Sequence, residues 1–321
     1  MTVIATPAAD AIAIPATSPV SIGTAQVADG TQLRTLHWSA AGEPWAVAEI
    51  VHGLGEHGGR YETVARALTR AGIEMWSYDH RGNGGSGGRR GWVESWPILH
   101  DDLQARLEWL RAQYPGLPLV LYGHSMGGLI AAGYVLSEVQ RPLPDLLVLS
   151  APGFDDNLAA WKHSLARVLS SVVPKMKLKN GVPMGAVSRD PKIDELSAAD
   201  PLCSDSSTVR MGAEAFAEQD RVKAAIAAID GMPIPTYVLH GGDDPLVPPD
   251  ASAILEGKRN VTRRVHPGLR HECHHEPEHE DVLGEVADWI RATIPEGVPG
   301  AGMPTPSTPA GTPAEAAPGG V

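Results

Sequence analysis

Residues 118–134, Pro-Leu-Val-Leu-Tyr-Gly-His-Ser-Met-Gly-Gly-Leu-Ile-Ala-Ala-Gly-Tyr, constrain this chain more than any other stretch. They set Ser125 inside Gly123-His-Ser-Met-Gly127, between a short apolar run and a helix-like one. A Gly-x-Ser-x-Gly segment in that context reads as a sharp strand-to-helix turn that lifts a serine hydroxyl above a sheet. Glycine at 123 and 127 lets neighbouring backbone close around a turn that Cβ atoms would obstruct. A second match, Gly84-Gly-Ser-Gly-Gly88, follows no strand and runs into Arg89-Arg-Gly-Trp92, so it reads as loop. Ser125 is the nucleophile candidate and Ser86 is not.

The rest of the chain supplies a sheet for that turn. With 321 residues and 43% hydrophobic content, it can bury a substantial core. Apolar, β-branched runs at 21–27, 33–38, 46–51, 73–78, 119–122, 146–150, 236–240 and 262–266 alternate with helical stretches. That alternation predicts an α/β fold with a mostly parallel eight-stranded sheet and helices on both faces. Ala28-Asp-Gly30 is a hairpin signal, so the sheet should begin antiparallel. Stripes at Tyr61, Val64, Ala65, Leu68, at Leu99, Leu103, Leu107, Leu110, and at Leu283, Val286, Ile290 predict three covering helices.

More than eighty residues separate the strands at 146–150 and 236–240, too many for a simple crossover. A helical cap is expected at 153–199, inserted between core segments 21–152 and 200–294. Within it Leu158, Trp161, Leu165, Val168, Leu169 and Val172 share one helical face, with Lys162, Arg167, Ser170 and Ser171 opposite. Asp155-Asp-Asn157 offers N-cap side chains and Pro174 a stop. That stripe either packs on the body or makes a transient lipid contact. Segments 1–20 and 295–321, rich in Ala, Pro, Thr and Gly, are expected to be disordered tails.

A net charge of −12 argues against a nucleic-acid surface. Two cysteines, Cys203 and Cys273, make no disulfide framework, and no apolar run reaches the length of a membrane span. The first residues lack the basic and apolar regions of a secretory signal, so a cytoplasmic location is expected, with peripheral membrane association and export left open.

A serine needs a base to take its proton and a third group to orient that base. In an α/β-hydrolase these partners follow the serine in the order acid, histidine. The strand at 236–240 runs into Gly241-Gly-Asp-Asp-Pro-Leu-Val247, which presents Asp243 and Asp244 at a strand end. The strand at 262–266 runs into Pro267-Gly-Leu-Arg-His271, which places His271 on a loop. All lie past carboxyl ends of strands, where open α/β sheets build their sites. Oxyanion donors are expected at the backbone N–H of Met126, after the nucleophile, and of Leu54, in the loop after the third strand.

His52-Gly-Leu-Gly-Glu-His-Gly-Gly-Arg-Tyr61, Tyr78-Asp-His-Arg-Gly82, Gly123-His-Ser-Met-Gly-Gly128, Ser188-Arg-Asp-Pro191, Asp200-Pro-Leu202 and Gly241-x-x-Asp244-x-x-Val247 resemble the monoacylglycerol lipase family, among the serine aminopeptidase-like α/β-hydrolases. The resemblance spans nearly the whole folded body. It implies the acid is Asp244 rather than Asp243, with Ser125 and His271 completing the triad and Leu54 and Met126 serving the oxyanion. It implies support of the oxyanion loop by Glu56 and a place for Arg60 near the glycerol-binding end. His57 and His124 lie in matched motifs and are expected to shape the site floor; Glu56, Arg60 and His124 are the expected substrate-side residues. One departure is Asn83, where the family usually carries histidine. The activity implied is hydrolysis of monoacylglycerols to fatty acid and glycerol through an acyl-enzyme, without metal or organic cofactor. Lysophospholipases and general carboxylesterases share this body and are the alternatives. The sequence is silent on oligomeric state.

Two other readings compete. His271-Glu-Cys-His-His275 matches HExxH, a zinc-protease signature that needs a helix to bring both histidines to one face. Pro267-Gly268 before it and Pro277 after it leave little room for that helix. A catalytically inactive hydrolase-fold binding module would lack a member of the triad, and none is missing.

Overall fold

The computed structural model describes residues 20–294 apart from 157 and 159. The expected tails, save residue 20, and Asn157 of the expected cap group lie outside the described residues. Eight strands form one sheet: β1 (Val20–Gln26), β2 (Gln32–Trp38), β3 (Ala46–Val51), β4 (Ile73–Tyr78), β5 (Leu119–His124), β6 (Leu146–Ser150), β9 (Gly231–Gly241) and β10 (Arg259–His266). A separate pair joins β7 (Lys177–Lys179) to β8 (Ser206–Thr208). The main sheet runs β1-β2-β4-β3-β5-β6-β9-β10. Only β2 opposes the common direction, pairing antiparallel with β1 and β4. The hairpin turn forms as expected, with Gly30 at φ 85° and Gln26 paired with Gln32.

Central strands are buried on both faces, so their apolar residues run continuously and divide by parity. Val47, Val51, Leu121 and Leu149 join a core shared with α2 (Pro97–Gln113), α3 (Met126–Val135) and α6 (Val209–Ala228). Ala48, Ile50, Tyr122 and Val148 face α1 (Glu62–Arg70) and the helix His279–Thr293 on the other side. Fully burying one such large side chain contributes about 1.5–3 kcal/mol. The helix α6 carries mostly alanine at its apolar positions, a weak pattern that sequence periodicity did not single out.

Between β6 and β9 the chain leaves the sheet through α4 (Ala160–Val172), β7, α5 (Pro191–Ala199) and β8 before α6 returns it. α4 ends just before Pro174, and it rests on α6, with His163 stacked on Phe216 at 4.1 Å and Arg167 bound to Asp220 at 2.6 Å. Its apolar stripe faces away from the body: Trp161 is 63% exposed, Val168 63% and Val172 72%. Leu158 and Leu165 are exposed too, while Leu169 is half-buried.

Candidate active site

Ser125 sits between the end of β5 and the start of α3 at φ 53°, ψ −120°. A non-glycine residue held at positive φ costs about 1–3 kcal/mol and persists only where its surroundings fix it. Here the backbone does so: Ser125 N donates to Ser150 O at 2.9 Å, and Ser125 O accepts from Leu129 N and Gly153 N. The flanking glycines are required by space. A Cβ on Gly127 would lie 2.0 Å from Val51 O, and one on Gly123 would lie 2.5 Å from Gly127 O.

The loops after β9 and β10 bring Asp244 and His271 together. His271 Nδ1 lies 2.7 Å from Asp244 Oδ2, and both residues are buried. With Nδ1–H donated to a carboxylate, Nε2 is the nitrogen free to accept a proton. Asp244 Oδ1 accepts from Leu246 N at 2.8 Å and Val247 N at 3.0 Å, and His240 Nε2 lies 3.2 Å from Oδ2. Burial alone would raise the Asp244 carboxyl, but bonds from His240, His271 and backbone hold it well below its ordinary range. Burial would likewise lower His271, yet Asp244, and then Glu272 and Glu56, raise it above its ordinary value. Asp243, the neighbouring candidate, is exposed and lies outside the pair.

The loop after β3 reaches the serine from the other side. A Cβ on Gly53 would come within 3.3 Å of Ser125 Cβ, so the Leu54 N–H begins beside Ser125. Met126 opens α3, where helix N–H groups lack intrahelical partners and favour negative charge. Glu56 braces this loop: Oε1 accepts from Gly53 N at 2.5 Å and from Tyr61 Oη at 2.6 Å. Its other oxygen meets Arg60, which also makes a two-pronged pair with Glu272 at 2.9 and 2.8 Å. Glu272 directly follows His271, so one largely buried guanidinium ties the loop after β3 to the loop that carries His271. His275 completes the clamp, with Nδ1 2.7 Å from Glu272 Oε2 and Nε2 3.0 Å from Arg60 O.

Each expected site residue now has a place. Asp244 and His271 are bonded to each other, the His271 ring lies 4.8 Å from that of His124, the residue before Ser125 and Met126, and the Gly53–Leu54 segment reaches Ser125, with Leu54 exposed. The Arg60 guanidinium is engaged by two carboxylates. His124 is buried, 3.1 Å from Ser150 Oγ through Nδ1, with its ring 4.8 Å from that of His271. Burial, then the nearby His271, pushes His124 down to about 3, so it is neutral. His57 Nε2 lies 2.9 Å from Asp200 Oδ2, joining the loop after β3 to the segment after α5. Ser204 N to Gly55 O and Glu272 N to Val187 O, both at 2.7 Å, attach the same excursion to both loops.

Ser86 is buried in a loop, accepting from Arg34 N and donating to Asp79 O. Asn83 is also buried and bonds Arg81 O at 3.2 Å. The HExxH segment forms a single 3-10 turn at Cys273–His275. Two clusters, His57–Asp200–Cys203 and Glu272–His274–His275, have ligand atoms within 4.8 Å of one another. Several of these atoms are otherwise engaged, whereas both ring nitrogens of the buried His274 lack a hydrogen-bond partner. His57 Nδ1 accepts from Gly59 N, so its Nε2 carries the hydrogen that faces Asp200. Glu272 is held by Arg60, whose charge opposes a cation. The Glu272 and Tyr61 roles escaped sequence reading because each depends on a partner distant in the chain or was absorbed into a helix stripe.

Residues 42–278 match the family described as serine aminopeptidase, S33. A monoacylglycerol lipase of Mycolicibacterium smegmatis is 32% identical over 258 residues, covering 79% of this chain and 90% of that protein. The monoglyceride lipase of Homo sapiens is 31% identical over 276 residues, covering 82% and 88%. Among solved structures, the monoacylglycerol lipase of Paleococcus ferrophilus superposes with a TM-score of 0.72 at 25% identity, over 82% of this chain and 99% of that one.

Proposed function

The chain belongs to the serine aminopeptidase S33 family of hydrolases, and from that premise we propose a serine esterase that cleaves monoacylglycerols to fatty acid and glycerol. The observation that carries the chemistry is the 2.7 Å His271–Asp244 pair, whose imidazole lies 4.8 Å from the ring of His124, the residue before the strained Ser125. The substrate class rests on the lipase relatives.

In this reading Ser125 Oγ attacks the ester carbonyl as its proton passes to His271 Nε2. The Leu54 and Met126 N–H groups receive the developing oxyanion, and Asp244 stabilises the imidazolium. The same proton leaves with the glycerol alkoxide. Water then gives its proton to His271 and attacks the acyl-enzyme, which releases the fatty acid and restores Ser125. Glu56 sets the oxyanion loop by accepting from Gly53 N.

The excursion after β6 acts as a cap in this proposal, because it is attached to both loops that meet at Ser125. Its exposed apolar side chains meet a lipid surface from the cytoplasmic side. Support comes from charge as well: residues 158–187 hold Lys162, Arg167, Lys175, Lys177 and Lys179 and no Asp or Glu, in a chain of net charge −12. Among the described residues no helix is long and apolar enough to cross a membrane.

Kinetics across monoacylglycerols, short p-nitrophenyl esters, lysophosphatidylcholine and aminoacyl p-nitroanilides tests the assignment. The highest kcat/KM should fall on monoacylglycerols. A preference for any other member of that panel would replace the proposed substrate.

A further inference from the structure

His240 is the penultimate residue of β9, four positions before Asp244, and it is wholly buried. Its Nε2 lies 3.2 Å from Asp244 Oδ2 and 3.0 Å from Val247 O. Both neighbours are acceptors, so this nitrogen carries a hydrogen. The other nitrogen, Nδ1, faces Ser252 Oγ at 3.0 Å. Ser252 is itself fixed: its hydroxyl accepts from Arg263 Nε at 3.0 Å and lies 3.1 Å from Pro249 O. Arg263 also donates to Pro249 O at 2.8 Å, so that carbonyl is satisfied whichever way the Ser252 hydroxyl turns. The tautomer with hydrogen on Nε2 therefore satisfies every partner. One carboxylate oxygen, Asp244 Oδ2, thus stands between two histidines.

This arrangement answers a mechanical question. A carboxylate rotates readily about its last bond unless both oxygens are held. Leu246 N and Val247 N fix Oδ1. His271 cannot be the group that fixes Oδ2, because its imidazole is what Oδ2 must orient.

We propose that His240 is a positioning residue, whose Nε2–H pins Asp244 Oδ2 in the rotamer that holds the His271 imidazole toward Ser125. The inference rests on the proposed triad. His240 touches neither substrate nor Ser125, and it acts through Asp244. The chain Arg263–Ser252–His240 carries the rigidity of β10 and of the segment at 249–252 to that carboxylate.

Three substitutions separate this role from packing. Gln at 240 places an amide N–H near the former Nε2 and keeps the donor to Asp244. Asn reaches only as far as Nδ1, so it keeps the Ser252 side and loses Asp244. Leu loses both. His240→Leu and His240→Asn should lower kcat for a monoacylglycerol roughly 10²-fold with KM little changed, the scale of misplacing a catalytic group by about 1 Å. His240→Gln should recover most of that loss. The downfield proton resonance of His271 Nδ1–H should persist in the Gln protein and broaden or move in the Asn protein.

Equal kcat in the Gln and Asn proteins, or an Asn protein more active than the Gln one, would overturn the assignment; this pair decides the matter even if the Leu protein fails to fold. Asp244→Asn, measured alongside, keeps the two levels apart. If that protein keeps wild-type turnover, the proposed triad fails. If it is inactive while His240→Asn matches wild type, only the role of His240 falls.

Discussion

The strand ends of the sheet and the excursion between β6 and β9 invert the usual distribution of polarity. Below Ser125 the protein buries Asp244, His271, His240, Glu56 and Glu272, each with hydrogen-bonded partners. In the excursion it exposes Trp161, Val168, Val172, Leu178 and Met184, the last at 75%. Buried polar groups are tolerable only when satisfied, and large contiguous apolar patches on a surface are characteristic of interaction sites. The first region needs rigidity, and the second is the face proposed to meet lipid. The two are joined at Gly55–Ser204 and at Val187–Glu272.

The largest expected effects break the buried region. Ser125→Ala, His271→Ala and Asp244→Asn should each reduce turnover by about 10⁴-fold or more on every ester tested, read by steady-state kinetics. Ser125→Gly should be equally inactive yet more stable by about 1 kcal/mol in denaturant unfolding, because glycine relieves the positive φ. A destabilised Gly protein would contradict the strain read from the turn.

A smaller effect tests the clamp. Replacing Glu272 by Gln should lower kcat/KM by roughly tenfold to a hundredfold, on the scale of a misaligned oxyanion donor. It should also move the pH profile. The proposed mechanism needs neutral His271, so kcat/KM should rise as pH passes through that group's pKa, which Asp244 and the two glutamates hold above the ordinary value against the effect of burial. Removing one negative charge disfavours the imidazolium, so the inflection should move to lower pH. An inflection that moves up, or stays fixed, would remove Glu272 from the electrostatics of the base.

The exposed region should respond only when lipid is present. Changing Trp161, Val168 and Val172 together to Ser should leave a soluble p-nitrophenyl ester unaffected. Activity on monoacylglycerol in anionic vesicles should fall about tenfold, with matching loss in vesicle sedimentation. Equal loss on both substrates would make the stripe structural. The smallest effect belongs to Asp243→Asn, which should stay within about twofold of wild type, since the exposed side chain lies outside the acid–base pair.

Most of this fold was legible in sequence because both signals behind it are local. The eight strands announced themselves as apolar runs, and the structure lengthens some: β5 continues through His124 and β9 begins at Gly231. The elbow was legible because a strained turn demands glycine at fixed positions. The clamp was not. Arg60 and Glu272 are 212 residues apart, and no periodicity relates them. The His240 contact is only four residues long, yet a histidine inside a strand reads as one more buried side chain until its neighbours are known. The pair β7–β8 was also invisible, since three-residue strands of Lys-Leu-Lys and Ser-Ser-Thr carry no core pattern.

The account turns on Ser125 being the nucleophile, and an active-site fluorophosphonate tests it most directly. Labelled protein, digested and mapped by mass spectrometry, should carry one adduct, on Ser125, and the Ser125→Ala protein should carry none. An adduct on Ser86, or an active enzyme that no fluorophosphonate labels but a metal chelator silences, would contradict it.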